Sequence, residues 1–313
     1  MITSRLSLQS AQSSGEQKSL PPTSLVICSR NRPKLLLETV ESVLQGQEVP
    51  TELIIIDQSD VSHPTLETFT TNRPCEVRYL WTCSVGVGRA RNAGITAAQY
   101  EILAFTDDDM SATPAWFGSL VRALLEAGRR AVVTGQVLPG DMEVPGSFVP
   151  STKSHEALVV YEGRVGKDVL WTGNMALYRS AVETVGFFDE RLGPGSRFPA
   201  SEDNDFGFRL LEAGYHIVYM PEAILYHRAW RSKHDYLPLR WNYGRGQGAY
   251  YAKYLSLRDH YILRRMCWHM LSSMFRFVRR LPCQRRLAYG DAVFVLGMLS
   301  GAVQWLLTQR RPR

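Results

Sequence analysis

Short apolar runs alternate along the first two thirds of the chain with segments whose apolar positions recur every three or four residues. Four of the runs predict buried strands, at residues 24–29, 52–56, 77–81 and 102–105. Helical patterns begin at Pro33, span residues 89–98, and run from Pro114 to about Gly128. This alternation predicts an α/β fold, with a mostly parallel sheet covered by helices on both faces. In such sheets ligands gather at the carboxyl ends of the strands.

The second half of this region continues the pattern less regularly. Further strands are predicted at residues 131–136, 171–178 and 216–220, and a helix at 203–213 precedes Gly214. Residues 138–168 are rich in proline and glycine, which indicates a loop or lid over the site. We therefore expect a catalytic domain over residues 23–235. Residues 1–22 are rich in Ser and Gln without a continuous apolar stretch, which predicts a disordered leader.

Residues 236–313 have a different character and predict a helical, membrane-associating region. Residues 264–286 mix bulky apolar side chains with seven arginines, as basic amphipathic helices on membrane surfaces do. Residues 292–307 carry no charge, but this run is shorter than the roughly 20 residues that a membrane span needs. We favour association with the membrane surface over spanning. A helix packed on the catalytic domain is the alternative for residues 292–307.

Charge supports this division of the chain. The 313 residues carry a net charge of +6, yet the segment from Arg258 onward has eleven arginines, no lysine and two acids. An anionic membrane surface is therefore a better partner for this segment than nucleic acid, because the segment is also strongly apolar. Five cysteines without a C-x-x-C pair argue against a disulfide framework or a zinc site. We expect a cytoplasmic protein, peripheral on the inner face of the cell membrane.

Three consecutive carboxylates, Asp107, Asp108 and Asp109, follow the fourth predicted strand. At the end of a buried strand they repel one another and lose hydration, so a cationic partner is expected to stabilise them. A divalent ion with oxygen ligands is such a partner, and it usually keeps positions open for substrate phosphates. A turn with solvated carboxylates is the alternative.

Seven short motifs, in order along the chain, together resemble the inverting glycosyltransferases of family 2. They are VICSRNR at 26–32, IIIDQSD at 54–60, GVGRARNAG at 86–94, the triple aspartate, TGNMA at 172–176, SEDNDF at 201–206 and YHR at 226–228. The resemblance covers about residues 24–228. It implies the GT-A fold, a nucleotide-diphospho-sugar donor, and a divalent cation, Mn2+ or Mg2+.

The resemblance also implies roles for individual residues. The donor-binding set is Ser29, Arg30, Asp57, Arg91, Asn92, Asp107, Asp108, Gly173 and Asn174. The metal ligands are Asp107, Asp109 and His227. Asp203 is the general base that inverting transfer requires, and Glu202 and Asp205 lie on the acceptor side as runners-up for that role. Capping of the following helix is the alternative for this carboxylate cluster.

Other classes of protein fit less well. GVGRAR at 86–91 begins like a dinucleotide-binding loop, but Arg91 stands where the third glycine belongs, and the chain has no P-loop motif. Processive polysaccharide synthases carry Q-x-x-R-W, whereas this chain has Leu237 in place of Gln. A membrane-recruited module without catalysis remains the alternative from another class. We expect transfer of a single sugar to a hydroxyl acceptor that is lipid-linked or made at a membrane.

Overall fold

The computed structural model describes residues 19–69, 71–143, 145–150, 152–228, 230–256 and 258–309. Most of the predicted leader, residues 1–18, lies outside this part. The strands are β1 (Thr23–Ser29), β2 (Glu52–Asp57), β3 (Glu76–Trp81), β4 (Ile102–Asp107), β5 (Met110–Ala112), β6 (Ala131–Pro139), β7 (Val159–Tyr161), β8 (Asn174–Tyr178) and β9 (His216–His227). The helices are α1 (Pro33–Leu44), α2 (Pro64–Glu67), α3 (Val87–Ala97), α4 (Trp116–Ala127), α5 (Arg179–Val185), α6 (Glu202–Glu212), α7 (Tyr236–Tyr254), α8 (Tyr261–Arg280) and α9 (Arg285–Gln309).

The strands form one mixed sheet in the order β3-β2-β1-β4-β8-β6-β9-β5, with β7 paired to β9. Strands β3, β2, β1 and β4 are parallel, as the alternation of strands and helices predicts. The other half is less parallel than that pattern suggests, because β8 runs antiparallel to β4 and β6, and β5 and β7 run antiparallel to β9. The register of β1 with its neighbours places Ser29 beside Asp57 and Cys28 beside Asp107, at the carboxyl ends of these parallel strands.

Helices cover both faces of the sheet, as expected. Successive side chains of a strand point to opposite faces of the sheet, so the buried residues of β1 contribute to two hydrophobic cores, one on each face. Leu25 and Ile27 pack with residues of α1 and α4, whereas Val26 packs with residues of α3 and α6. Burial on both faces explains why this strand is apolar without alternation.

The C-terminal helices pack on this domain and on one another. Helices α7 and α9 approach so closely that a Cβ at Gly248 would overlap the carbonyl of Met298, and one at Gly301 would overlap that of Arg245. Tyr250 and Tyr251 are buried beside this contact, in a cluster with residues of α8 and α9. Within the described residues, Arg285–Thr308 is the one helix long and apolar enough to cross a membrane, and 50% of its most apolar window is buried.

Several predicted boundaries differ from the structure. The segment expected to be a loop or lid, residues 138–168, contains the end of β6 and the whole of β7. The strand predicted at 171–178 begins only at Asn174, because a turn closed by the Asn174 N–H and the Trp171 carbonyl precedes it. The basic helix predicted at 264–286 is two helices, since a turn at residues 281–284 separates α8 from α9.

Candidate active site

A cavity of about 790 Å3 opens at the carboxyl ends of β1 and β4. Its walls include the triple aspartate on one side and the start of α6 on another, and α7, α8 and α9 complete it. The parallel register brings the first motifs there, and the long β9 brings His227 to the same place from the far end of the domain. Residues distant in sequence therefore share one site.

Asp108 and Asp109 are buried and share one arginine. Arg32, just before α1, places its Nη1 3.0 Å from Asp108 Oδ1 and 2.7 Å from Asp109 Oδ2. Ser29 Oγ donates a further hydrogen bond of 2.7 Å to Asp108. Burial and the neighbouring Asp109 nevertheless raise the pKa of Asp108 to about 6. The predicted cationic partner of these carboxylates is thus, in the protein itself, a guanidinium.

His227 completes this end of the cavity. Pairing of β5 with β9 sets His227 opposite Met110, next to the aspartates. Its Nε2 lies 3.4 Å from Asp109 Oδ1, and its Nδ1 lies 3.1 Å from the carbonyl oxygen of Pro150. Burial is the largest single influence and would raise the pKa of Asp109 and lower that of His227. The hydrogen bond and opposite charges of the pair, with the neighbouring charges of Arg32 and Asp107, together outweigh burial, so the pKa of Asp109 is lowered and that of His227 is raised.

Asp109 and His227 fit a divalent cation, because a carboxylate oxygen and an imidazole nitrogen face each other at the cavity wall. The expected set of three ligands is not assembled. Asp107 instead receives a 2.9 Å ion pair from Arg91 Nη2. Among the described residues no group of three or more His, Cys, Asp or Glu converges on one point. A cation held here needs further ligands from the phosphates of a substrate.

Glu202 and Asp203 form a second acidic centre, in the first turn of α6. The buried guanidinium of Arg91 lies 3.4 Å from Glu202 Oε1 and 3.3 Å from Asp203 Oδ1, and Thr172 Oγ1 donates a hydrogen bond to Asp203. Burial raises the pKa of Asp203. Burial and the charge of Asp203 raise the pKa of Glu202 to about 8. Carboxyl groups with raised pKa values in a cavity are typical of general acids and bases.

Arg91, which was predicted to bind the donor, holds three carboxylates in place in the structure. It lines the cavity but is buried against Asp107, Glu202 and Asp203. Gly173 has a related role, since a Cβ there would overlap the Asp107 carboxylate and the Trp171 indole. Ser29, the last residue of β1, and Arg30, which follows it, both line the cavity.

Four predicted site residues point elsewhere, and their polar atoms are used within the fold. Asn174 is fully buried between the Trp116 indole N–H and the carbonyls of Gln136 and Ala223. Asn92 exchanges two hydrogen bonds with the Phe188 backbone. Neither amide lines the cavity, and binding of the donor by these two residues stays a prediction.

The other two are aspartates. Asp57 accepts hydrogen bonds from the Tyr79 hydroxyl at 2.7 Å and the Ser59 N–H at 2.9 Å, and it does not line the cavity. Asp205, also on α6, is fully buried on the side of the helix away from the cavity, where it pairs with Lys253 and Arg209. Asp205 is thus an ion-pair partner within the fold, because the helix directs it away from Asp203, and its acceptor-side role stays a prediction.

Sequence reasoning missed part of the wall. Arg32 lies inside a quoted motif but was not selected, and Gln58 lines the cavity where Asp57 was expected. Helix α7 contributes Arg240, Tyr243 and Gln247, all within the region assigned to the membrane. Their spacing of three and four residues marks one polar face of a helix, and this signal could have shown that α7 belongs to the site.

The protein has the GT-A fold of nucleotide-diphospho-sugar transferases, in which acidic residues surround a cavity at the carboxyl ends of the strands of an α/β sheet. The chain belongs to the family described as glycosyl transferase family 2, whose model matches residues 24–186. A mannosyltransferase of Pyrobaculum calidifontis, solved with GDP-Man and Mn2+, has a similar structure, with a TM-score of 0.60 over 93% of this chain and 88% of that one, at 13% identity.

Two curated relatives illustrate the range of the family. The chain is 28% identical over 225 residues to the pre-mycofactocin glycosyltransferase of Mycobacterium tuberculosis, which covers 70% of this chain and 45% of that protein. It is 24% identical over 241 residues to the glucosyl-dolichyl phosphate glucuronosyltransferase of Haloferax volcanii, covering 69% and 73%. The chain spans less than half the length of several of the curated relatives that it matches.

Proposed function

We propose that this protein is a metal-dependent, inverting glycosyltransferase that moves one sugar from a nucleotide-diphospho-sugar to a hydroxyl acceptor. One observation carries the proposal: the cavity joins the Asp109–His227 pair to the pair formed by the buried Glu202 and the half-buried Asp203. The first pair suits a cation that binds a diphosphate, and the second suits removal of a proton. Inverting transfer needs the cation on the side of the leaving diphosphate and the base on the opposite side of the transferred sugar, where the acceptor attacks.

In this reaction Asp203 takes the proton of the acceptor hydroxyl as that oxygen attacks the anomeric carbon. The raised pKa of Asp203 suits a base, and Thr172 and Arg91 fix the orientation of its carboxylate. A divalent cation bound by Asp109 and His227 would stabilise the negative charge that develops on the departing diphosphate. Arg32 would leave the carboxylates, or share them, when that cation binds.

Donor and acceptor are proposed from chemistry and from relatives. The mannosyltransferase with a similar fold was solved with GDP-Man and Mn2+, which supports a nucleotide-diphospho-sugar donor. The haloarchaeal relative is named for a glucosyl-dolichyl phosphate, which supports a lipid-linked acceptor. With the basic, apolar C-terminal region, this favours a peripheral protein at the cytoplasmic membrane face, in assembly of envelope glycans. Leu237 in place of Gln continues to disfavour a processive synthase.

The deciding experiment combines binding and turnover. Calorimetric titration of the full chain with UDP, dTDP and GDP, with and without Mn2+, should show tight, metal-dependent binding of one nucleotide. Asp203→Asn should lower transfer from the matching donor about 10²- to 10⁴-fold and leave nucleotide affinity unchanged, because the amide cannot accept the proton. Asp60→Asn is the matched control, since Asp60 is an exposed carboxylate outside the cavity.

Two outcomes would contradict the proposal. Full turnover by Asp203→Asn would remove the assigned base. Tight nucleotide binding without measurable transfer to any hydroxyl acceptor, in the unaltered chain, would favour the alternative function of a nucleotide-binding module recruited to a membrane.

A further inference from the structure

The outward face of α8 is apolar, whereas its inward side combines the buried Ile262 with arginines that form ion pairs, unlike a helix whose apolar side chains all pack on a protein core. Six bulky apolar side chains are exposed, and four are more than 60% exposed: Trp268 71%, Phe275 68%, Leu271 66% and Val278 66%. At about 100° per residue, these side chains and the exposed Leu263, Cys267 and Met274 lie within an arc of about 140°. Such a continuous face marks an interaction surface.

Two acids, Asp168 and the buried Asp291, explain why several arginines of α8 turn inward. Arg265 is bonded to Asp168, and Arg276 and Arg280 lie 3.3 Å and 2.8 Å from the buried carboxylate of Asp291. These ion pairs orient the helix, so Ile262 packs in the core while Trp268, Leu271, Phe275 and Val278 face outward. The exposure of the apolar arc therefore follows from the fold.

Helix α9, which packs against α8, presents a second apolar face. Leu296, Val303 and Leu307 are each more than half exposed, and Leu299 and Leu306 lie on the same side. The opposite side of α9 is fixed to α7 by Gly297 and Gly301, where any Cβ would overlap the backbone of α7. Asp291, near the start of α9, is held by arginines of α7 and α8. One long side of α9 is thus committed to the protein.

We propose that the outward faces of α8 and α9 together form a docking surface that inserts into the headgroup layer of an anionic bilayer, and that neither helix crosses it. Crossing would separate Gly297 and Gly301 from α7 and leave Asp291 without its arginines in hydrocarbon. Interfacial helices combine a Trp- and Phe-bearing face with arginine, as α8 does.

Charge and the position of the cavity select the membrane as the occupant. Residues 264–286 carry seven arginines and no acid, and Arg264, Arg279 and Arg285 are exposed. Anionic headgroups attract such a segment. The cavity of the candidate site also reaches His269 of α8 and Phe294 of α9, the two helices that bear the apolar faces. A docked protein would thus meet an acceptor at the bilayer; only this clause rests on the proposed function.

Thiol labelling can locate the docked face. Cys267 lies within the apolar arc and is exposed, as are Cys83 and Cys283, whereas burial raises the pKa values of the Cys28 and Cys75 thiols to about 12. Full-length chains retaining Cys267 alone, or Cys83 alone, among the exposed cysteines would carry an environment-sensitive fluorophore. With vesicles containing a third phosphatidylglycerol, the Cys267 label should shift to the blue and the Cys83 label should not.

Binding is measured separately by vesicle flotation. The unaltered chain should bind vesicles with phosphatidylglycerol, bind phosphatidylcholine vesicles poorly, and be released by high salt. Trp268→Ser with Leu271→Ser and Phe275→Ser should weaken binding by at least about tenfold. The matched control changes Val61, Met142 and Phe187 to Ser, since these are exposed apolar side chains on other surfaces.

Three results would overturn the proposal: equal shifts of both labels; retention on neutral vesicles that only detergent releases, as for a span; or a stable dimer without vesicles that the α8 variant abolishes, which would make the face a contact between copies. None of these readouts uses a donor or an acceptor. A protein that docks but does not transfer sugar would therefore refute the proposed function and leave this inference intact.

Discussion

At the scale of single residues, Arg32 is the counter-ion on which Asp108 and Asp109 depend. Without metal, Arg32→Gln should lower the free energy of unfolding by about 1–2 kcal/mol, because two buried carboxylates lose their cationic partner. The loss is no larger because the guanidinium of Arg32 is partly exposed to solvent. Addition of Mn2+ should restore most of this loss, since the cation can take the same position. Denaturant unfolding in chelator and in excess Mn2+ measures both values.

The matched control for this prediction is Arg30→Gln. Arg30 is also in the loop after β1, but it pairs at 3.5 Å with the exposed Asp60, so its loss should be small and indifferent to metal. Equal losses for Arg32→Gln with and without Mn2+ would contradict the role of Arg32 as counter-ion.

Glu202 should make the protein less stable as pH rises. Its pKa is about 8 in the folded protein, raised mainly by burial and then by Asp203, whereas in the unfolded chain it has an ordinary Glu value. Between the pKa of Glu202 in the unfolded chain and its pKa in the folded protein, the folded state holds one more proton than the unfolded state. The free energy of unfolding is therefore greatest at pH values below the unfolded-state pKa, and it falls by up to about 1.4 kcal/mol per pH unit as the pH rises between the two pKa values. Glu202→Gln should flatten this slope between pH 5 and 8, as measured by denaturant unfolding.

Glu212→Gln is the control for the pH prediction. Glu212 ends the same helix but pairs with Arg164 near the surface, so its change should leave the slope unaltered. A slope as steep in Glu202→Gln as in the unaltered chain would place the extra proton on another group.

Several charged residues of the motifs were predictable as cavity residues, whereas the two asparagines were not. Asp108 and Asp109 line the cavity because the parallel register of β1 and β4 brings the ends of these strands together, and Asp203 lines it from the first turn of α6. Asp57 also ends a strand, but it accepts a hydrogen bond from Tyr79 and does not line the cavity. The side chain of an asparagine in the same motifs can hydrogen-bond to a ligand or to the protein backbone, and the sequence does not distinguish the two. Asn92 binds the backbone of Phe188, 96 residues away, and the sequence gives no sign of that contact.

At the scale of secondary-structure elements, periodicity predicted where helices lie but not which face turns inward. The amphipathic pattern of α8 has an arginine side and an apolar side, and either can face the protein. The choice depends on Asp168 and Asp291, which approach α8 only in the folded chain. The same limit applies to α7, whose polar face became a wall of the site because α9 occupies its glycine-bearing face.

At the scale of the whole molecule, the division into a catalytic domain and a C-terminal region does not separate two cores. Ser201 and Asn204 beside the base contact Gln247 of α7, and Arg265 of α8 bonds Asp168 of the catalytic domain. Phe198 packs against Trp305 of α9. The helices that carry the proposed docking surface thus also support the site.

We therefore expect one cooperative thermal transition for the full chain, with equal calorimetric and van't Hoff enthalpies. Truncation after Arg258 should give an unstable, aggregating product rather than a soluble enzyme, because it removes α8 and α9 and so exposes the apolar cluster around Tyr250 and Tyr251. The triple serine variant on α8 is the control, since it removes apolar side chains that touch solvent and should keep the single transition. Two separate transitions in the full chain, or a folded and active truncated form, would show that the chain up to Arg258 folds without α8 and α9.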